Sequence, residues 1–305
     1  MKRIAAQVLV DLLQWGRLPA LAAAQHVMRH RGLATALARG LLVQADVDRL
    51  AAAGLVTQTP TGPELTYAGR DVTYALTEWF QQHHRPWDFM RDSLPALRGR
   101  RLLDLGCGEG FLVVHALRRG AALSVGVDVV PEVVQFARAA LSLEPPDRRH
   151  RGMVVRAAAE ALPFDRGSFD LITARVAFNY FDLPRPVPEI ARVLRPTGRV
   201  YMTVETPWHY FRQFLSKLPS KAAVVDLFAM VNAVPSFFGW PVWRFNLMGR
   251  SGFTAGLLPT ALRRWFSRCG FRIVAVRHGA RQIQVPGDQR KAAHGLFLIV
   301  LERIR

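Results

Sequence analysis

The stretch Leu102-Leu-Asp-Leu-Gly-Cys-Gly-Glu-Gly-Phe-Leu112 decides how the rest of the chain is read. An apolar run closes on Asp104, and glycines at 106, 108 and 110 follow before hydrophobic residues resume, which is the order strand, tight turn, helix. Glycine at every second position opens backbone conformations closed to other residues and lets a ligand lie against the main chain. A dinucleotide fingerprint would be G-x-G-x-x-G, with a pyrophosphate over the helix N-terminus. Here the third glycine comes one residue early and an acid, Asp104, precedes the first, so a cationic ligand suits the turn better than a pyrophosphate.

A second apolar run, Leu123 to Val127, ends in Asp128, about 20 residues beyond the glycines, where an acid accepts bonds from ribose hydroxyls. Together the two acids and three glycines describe a site for a nucleoside carrying a positive group. On these residues the chain resembles the class I S-adenosylmethionine-dependent methyltransferases from about Arg85 to Val204, and more loosely at the C-terminus. The resemblance implies S-adenosyl-L-methionine as cofactor. Its methionine part would be held at Asp104, Gly106, Cys107, Gly108 and Gly110, its ribose at Asp128 and Val129, and its adenine beside Ala159-Glu-Ala-Leu-Pro-Phe164. The family often has an aspartate where Ala158 stands, and alanine cannot bond the adenine amino group. Backbone near Ala159 and Glu160 is then expected to read the base edge.

With 305 residues, half of them hydrophobic, the chain can bury one large core or two ordinary ones, and disorder is excluded. Cys107 and Cys269 offer no disulfide framework, and Met1 to Trp15 reads as an amphipathic helix without a small-residue cleavage site, so the expectation is a cytoplasmic protein. The net charge of +18 is unevenly spread: Lys plus Arg against Asp plus Glu is 8 to 5 over 1–71, 18 to 14 over 72–204, and 15 to 4 over 205–305.

Residues 4–39 carry alanine- and leucine-rich helical patterns, with Pro19 in a first turn and Gly16 and Gly32 as stops. A helix over 45–53, closed by Gly54, then a strand, the turn Pro60-Thr-Gly-Pro63 and a second strand together look like a winged helix. The arrangement is similar to the N-terminal domain of many small-molecule O-methyltransferases. A nucleic-acid-binding protein or a nucleic-acid methyltransferase is the competing reading. It is disfavoured because the helix that would enter the groove carries Asp46 and Asp48 against Arg49 alone. A cofactor-binding homologue without activity is the third. The expected domains are 1–75, winged-helix-like; 76–100, a linker helix over the cofactor; and 101–305, catalytic, with 206–258 as an acceptor lid.

The core alternates strand and helix: Arg101 to Leu105, Phe111 to Arg119, Leu123 to Val127, Glu132 to Leu141, a polar loop 144–151, Met153 to Arg156, Phe169 to Ala174, Val187 to Leu194 and Arg199 to Val204. The fold class is α/β, a Rossmann-like seven-stranded sheet with an N-terminal helical domain and an aromatic insertion after strand five. The family implies that Phe271 to Val276 and Leu296 to Leu301 complete the sheet by adding an antiparallel strand at its edge. Arg175, at the end of strand four, joins the cofactor set, and Asn179 and Tyr180 just beyond it face the crevice as candidates for gripping an acceptor.

From Thr206 to Leu258 the chain leaves the alternating plan for a segment rich in Trp and Phe, studded with Arg and Lys. Its uncharged run Leu227 to Trp243 contains Asn232, Pro235 and Pro241 and is short for a span of ~20 apolar residues, so no transmembrane helix is read there. A lid over an apolar acceptor is the first expectation and a face dipping into a membrane the second; packing, in the core or in a homodimer, is the third. Methyl transfer needs an aligned acceptor, excluded water and removal of one proton. His209 is the candidate base, with Glu205 and Tyr180 as rivals. His83 and His84 point to different faces of a helix, so no metal is assigned.

Overall fold

The computed structural model describes residues 5–84, 90–217, 257–278 and 296–304, with the pieces 227, 230–231, 234, 245–247 and 250–252 between them. The N-terminal part holds α1 (Ala6–Leu13), α2 (Leu18–Arg31), α3 (Leu33–Ala38) and α4 (Gln44–Ala52). Pro19 lies in the first turn of α2, and Gly32 ends that helix at a φ of 81°. An antiparallel hairpin follows, β1 (Val56–Thr59) and β2 (Gly62–Leu65), and then the long helix α5 (Tyr67–His84). Because α5 runs unbroken through residue 75, the expected boundary there falls inside a helix, and the break comes before Tyr67.

Asp46 is not a charge facing outward. It is 3% exposed, accepts the Val43 N–H at 2.9 Å as a cap for α4, and takes Arg17 in a two-pronged pair at 3.1 and 3.2 Å. The sequence argument against a nucleic-acid groove therefore stands on Asp48 alone, while the Arg49 guanidinium lies 5.7 Å from the Trp15 ring centroid.

The sheet is built from β3 (Arg101–Leu105), β4 (Leu123–Asp128), β5 (Gly152–Arg156), β6 (Phe169–Arg175) and β7 (Leu194–Glu205), all parallel. The intervening helices are α6 (Phe111–Arg118), α7 (Pro131–Ser142), a short α8 (Pro146–Arg149) inside the stretch read as a polar loop, and α9 (Pro186–Val193). After β7 come α10 (Pro207–Lys217), a small hairpin of β8 (Phe245–Leu247) and β9 (Arg250–Gly252), α11 (Pro259–Ser267), β10 (Phe271–His278) and β11 (Leu296–Arg303). The seven strands lie in the order β10-β11-β7-β6-β3-β4-β5. The antiparallel strand β11 is therefore not at the edge; it sits between β7 and the edge strand β10. Strand five also begins earlier than the pattern suggested, because Leu194 pairs with Phe169 before a register shift.

Strands buried on both faces read as continuous apolar runs, and β3 is one: Leu102 to Leu105 is fully covered. Leu103, Leu105, Val125 and Val127 pack with Ile190 of α9 and Phe266 of α11, whereas Leu102 packs with Phe111 and Leu112 of α6. The N-terminal helices form a further layer: Leu12, Leu21, Leu76 and Trp79 share one apolar cluster with Val114 of α6 and Phe136, Ala139 and Ala140 of α7. Strand order reverses between β3 and β6, which opens a crevice at their carboxyl ends. Among the described residues no helix is long and apolar enough to cross a membrane. Most of the expected lid, including the run 227–243 beyond four of its residues, lies outside the described part.

Candidate active site

Gly106, Gly108 and Gly110 turn the chain out of β3 with φ values of 64°, 53° and 81°. A Cβ on Gly106 would come within 2.5 Å of Ala177 Cβ, and one on Gly110 within 3.0 Å of Ala137 Cβ, while the space over Gly108 is open to 4 Å. Two of the glycines thus allow close packing, and the middle one leaves bare backbone beside a vacant volume. Asp128 ends β4 and braces this turn: its carboxylate accepts the Gly108 N–H at 3.2 Å and the Val130 N–H at 3.0 Å. Cys107 is buried, its N–H bonded to Val127 O, and burial pushes its thiol well up, so it stays a neutral packing group. Val129 is exposed and its carbonyl accepts Arg156.

Asp104 is buried and accepts the Thr173 hydroxyl at 2.7 Å; burial raises its pKa to about 7, opposed by Thr173 and the Arg175 charge. Glu109 is raised to about 7 in the same way, with Glu78 of α5 adding to the rise. Two acids at this turn therefore sit at the edge of protonation, because burial outweighs the Arg175 charge that favours their ionised forms.

The loop after β5 is bolted to α9. Arg192 donates to the carbonyls of Leu162 and Phe164, at 2.8 and 2.6 Å, while Glu189 accepts the Leu162 N–H at 2.8 Å. Ala159 is buried, and the Glu160 carboxylate accepts the Asp182 N–H at 3.0 Å.

The carboxyl end of β7 brings Glu205, His209 and Tyr180 together through a residue that sequence reasoning missed. The buried Tyr210 hydroxyl donates to Glu205 Oε2 at 2.8 Å and also bonds Tyr180. His209 Nε2 lies 3.3 Å from the other oxygen, Oε1. Burial and the Glu205 carboxylate hold the Tyr210 phenol well above its ordinary pKa, hence protonated and donating. Asn179, read from the sequence as an acceptor grip, spends its amide on the backbone: it donates to Glu205 O at 2.8 Å and accepts Glu205 N–H at 3.0 Å. Leu257 N–H adds a third bond to that segment, at Glu205 O.

Residues 103–202 match the methyltransferase domain model. An uncharacterized methyltransferase of Mycobacterium bovis is 38% identical over 113 residues, 37% of this chain and 42% of that one. Nocamycin O-methyltransferase of Saccharothrix syringae is 35% identical over 135 residues, 43% and 47% of the two chains. A solved S-adenosylmethionine-dependent methyltransferase from Mesorhizobium loti shares the fold at a TM-score of 0.51 and 20% identity, covering 73% of this chain and all of that one. Residues 103–202 of this chain form a methyltransferase domain, in the fold of S-adenosylmethionine-dependent methyltransferases. The chain spans less than half the length of the curated relatives it matches.

The methyltransferase domain's cofactor is S-adenosyl-L-methionine, and the residues fit it. The open face at Gly108, the acids raised to about 7 and the doubly braced Asp128 are what a cationic nucleoside requires. Asp104, the three glycines and Arg175 would surround its amino-acid end, Asp128 its ribose, and the bolted loop at Ala159 its base. Among the residues missed from sequence, Thr173 had a usable signal, a lone hydroxyl in an apolar strand. Tyr210 had none, because its role arises from a helix turn that returns it to Glu205.

Proposed function

We propose that the chain transfers a methyl group to an oxygen or carbon of an apolar small-molecule acceptor. The observation that carries this reading is the Glu205 carboxylate, held on one oxygen by Tyr210 and facing His209 with the other, on the same carboxyl edge of the sheet as the glycine turn. S-adenosylmethionine supplies an electrophilic methyl group when bound. The protein's own task is to align the acceptor, exclude water and take its proton. His209 is the base: an ionised Glu205 favours the tautomer with a proton on Nε2 and stabilises the imidazolium formed when Nδ1 accepts a proton. Trp208, stacked on Phe211 with ring centroids 5.2 Å apart, and Leu215 expose apolar surface on α10, which favours an apolar acceptor.

The test is methyl transfer from labelled S-adenosylmethionine to a panel of phenols, enols and fatty acids. His209→Ala and Glu205→Gln should each lower kcat by ~10²–10⁴, the range of general-base removal, with cofactor affinity retained. Asp128→Ala should abolish cofactor binding in calorimetry. Full turnover by His209→Ala would remove the base assignment and leave the cofactor site standing.

A further inference from the structure

Helix α10 (Pro207–Lys217) has two unlike faces. At about 3.6 residues per turn, Phe211, Leu215, Trp208 and Arg212 fall side by side on an arc of roughly 100°, with Tyr210 on the far side. The fold buries that far side: Tyr210 is 4% exposed and bonded to Glu205. The arc faces outward. Trp208 is 56% and Leu215 53% exposed, the half-buried Phe211 stacks on Trp208, and Arg212 is exposed. Leu258 is exposed as well, next to the Leu257 whose N–H bonds Glu205 O just before the helix begins. Single apolar side chains on a surface are ordinary, but neighbours along one arc of a helix form a patch that is stabilised by being covered.

Charge selects what covers it. Residues 206–258 carry Arg212, Lys217, Lys221, Arg244 and Arg250 against Asp226 alone, and Arg212 lies on the arc itself. A second copy of the chain would set this basic segment against itself. A bilayer with anionic head groups instead takes the apolar side chains at its boundary and attracts the arginines and lysines. Tryptophan settles at the head-group level, and an arginine lays its aliphatic stem along apolar surface while its guanidinium stays in water. Among the described residues no helix is able to span a membrane, so α10 would lie in the interface plane. We propose that the outward face of α10, formed by Trp208, Phe211, Arg212 and Leu215, docks the protein on an anionic membrane surface. This goes beyond the methyl-transfer reading and holds whichever residue is the base.

The experiment is co-sedimentation of the full chain with phosphatidylcholine vesicles, with and without phosphatidylglycerol, at low and high salt. The protein should bind the anionic vesicles, release them at high salt and bind the neutral ones far more weakly. Arg212→Glu and the double variant Trp208→Ser/Leu215→Ser should each weaken binding by roughly tenfold or more, the first through charge and the second through apolar contact. Arg166→Glu, the same charge change at an exposed position between β5 and β6, should leave binding unchanged, which separates a docking face from the net charge of +18. A melting temperature matching wild type shows that a variant is folded, and Arg212→Glu decides the matter if the double variant is not. No binding to anionic vesicles, or equal loss in Arg166→Glu and Arg212→Glu, would overturn the docking face. So would a dimer in sedimentation equilibrium that Trp208→Ser/Leu215→Ser dissociates without changing vesicle binding, because a second copy then covers the arc.

Discussion

Val176 holds a left-handed conformation, φ 57°, that β-branched residues avoid, because its N–H donates to both the carbonyl and the hydroxyl of Thr203 at 3.0 Å. It sits between Arg175 and Ala177, the residue against which Gly106 packs, so the strain lies at the turn that shapes the site. Such a conformation costs of order 1–3 kcal/mol. Val176→Gly should accordingly raise the unfolding free energy by about 1 kcal/mol after the entropy of glycine is counted, checked by urea denaturation without ligand. Gly106→Ala should do the reverse: a methyl group 2.5 Å from Ala177, on a φ of 64°, forces the turn apart and should remove cofactor binding by calorimetry. The acids give a pH signature. Asp104 and Glu109 titrate near 7 when folded, against 3.8 and 4.5 otherwise, so the folded chain holds more protons and loses stability as pH rises from about 4 through about 7. A cationic ligand binds their ionised forms. The thermal shift given by S-adenosylmethionine should therefore be larger at pH 8 than at pH 6; an equal shift would show that these acids do not face the ligand. The spacing D-x-G-x-G-x-G displayed the turn openly, because glycine conformations are local. Thr173 and Val176 were not visible in the same way, since their roles depend on neighbours 69 and 27 residues away.

Helix α5 shows what an element adds beyond its own sequence. Its aromatics were legible as a packing stripe, and the structure places Trp79 6.4 Å, edge on, from Phe136 of α7. Trp79→Ala should cost ~3–5 kcal/mol in urea denaturation, as for other buried large-to-small changes. His83 gives the element an acid limit. Its folded pKa, about 4, lies below the unfolded value of 6.5, so the unfolded chain takes up the proton first and stability is lost as pH falls from about 6.5 toward about 4. His83→Phe should flatten that part of the stability profile measured by thermal melts in the ligand-free state. The end of α5 was less legible than its stripe. Nothing in a polar pair such as Glu78 and Gln82 announces that the Gln82 amide oxygen will be buried without a donor, because that depends on which surface the helix meets.

At the scale of the whole chain, the N-terminal layer shares an apolar cluster with helices α6 and α7 of the sheet domain, so the expected domains should unfold together. Calorimetry should show one transition, and removal of residues 1–66 should leave Val114 and Phe136 uncovered and the remainder aggregated. Alternating apolar runs, short connections and glycine stops determined the parallel sheet, its helices and the glycine turn from sequence alone, since each depends on contacts within a few residues. Tertiary structure alone decided that the antiparallel strand lies inside the edge strand, that Asp46 faces inward to Arg17, and that Asn179 clips Glu205 instead of reaching outward. It also decided that Tyr210 orients Glu205 toward His209. Those outcomes turn on which distant surfaces meet and how completely water is removed between them, and no local pattern of residues encodes either.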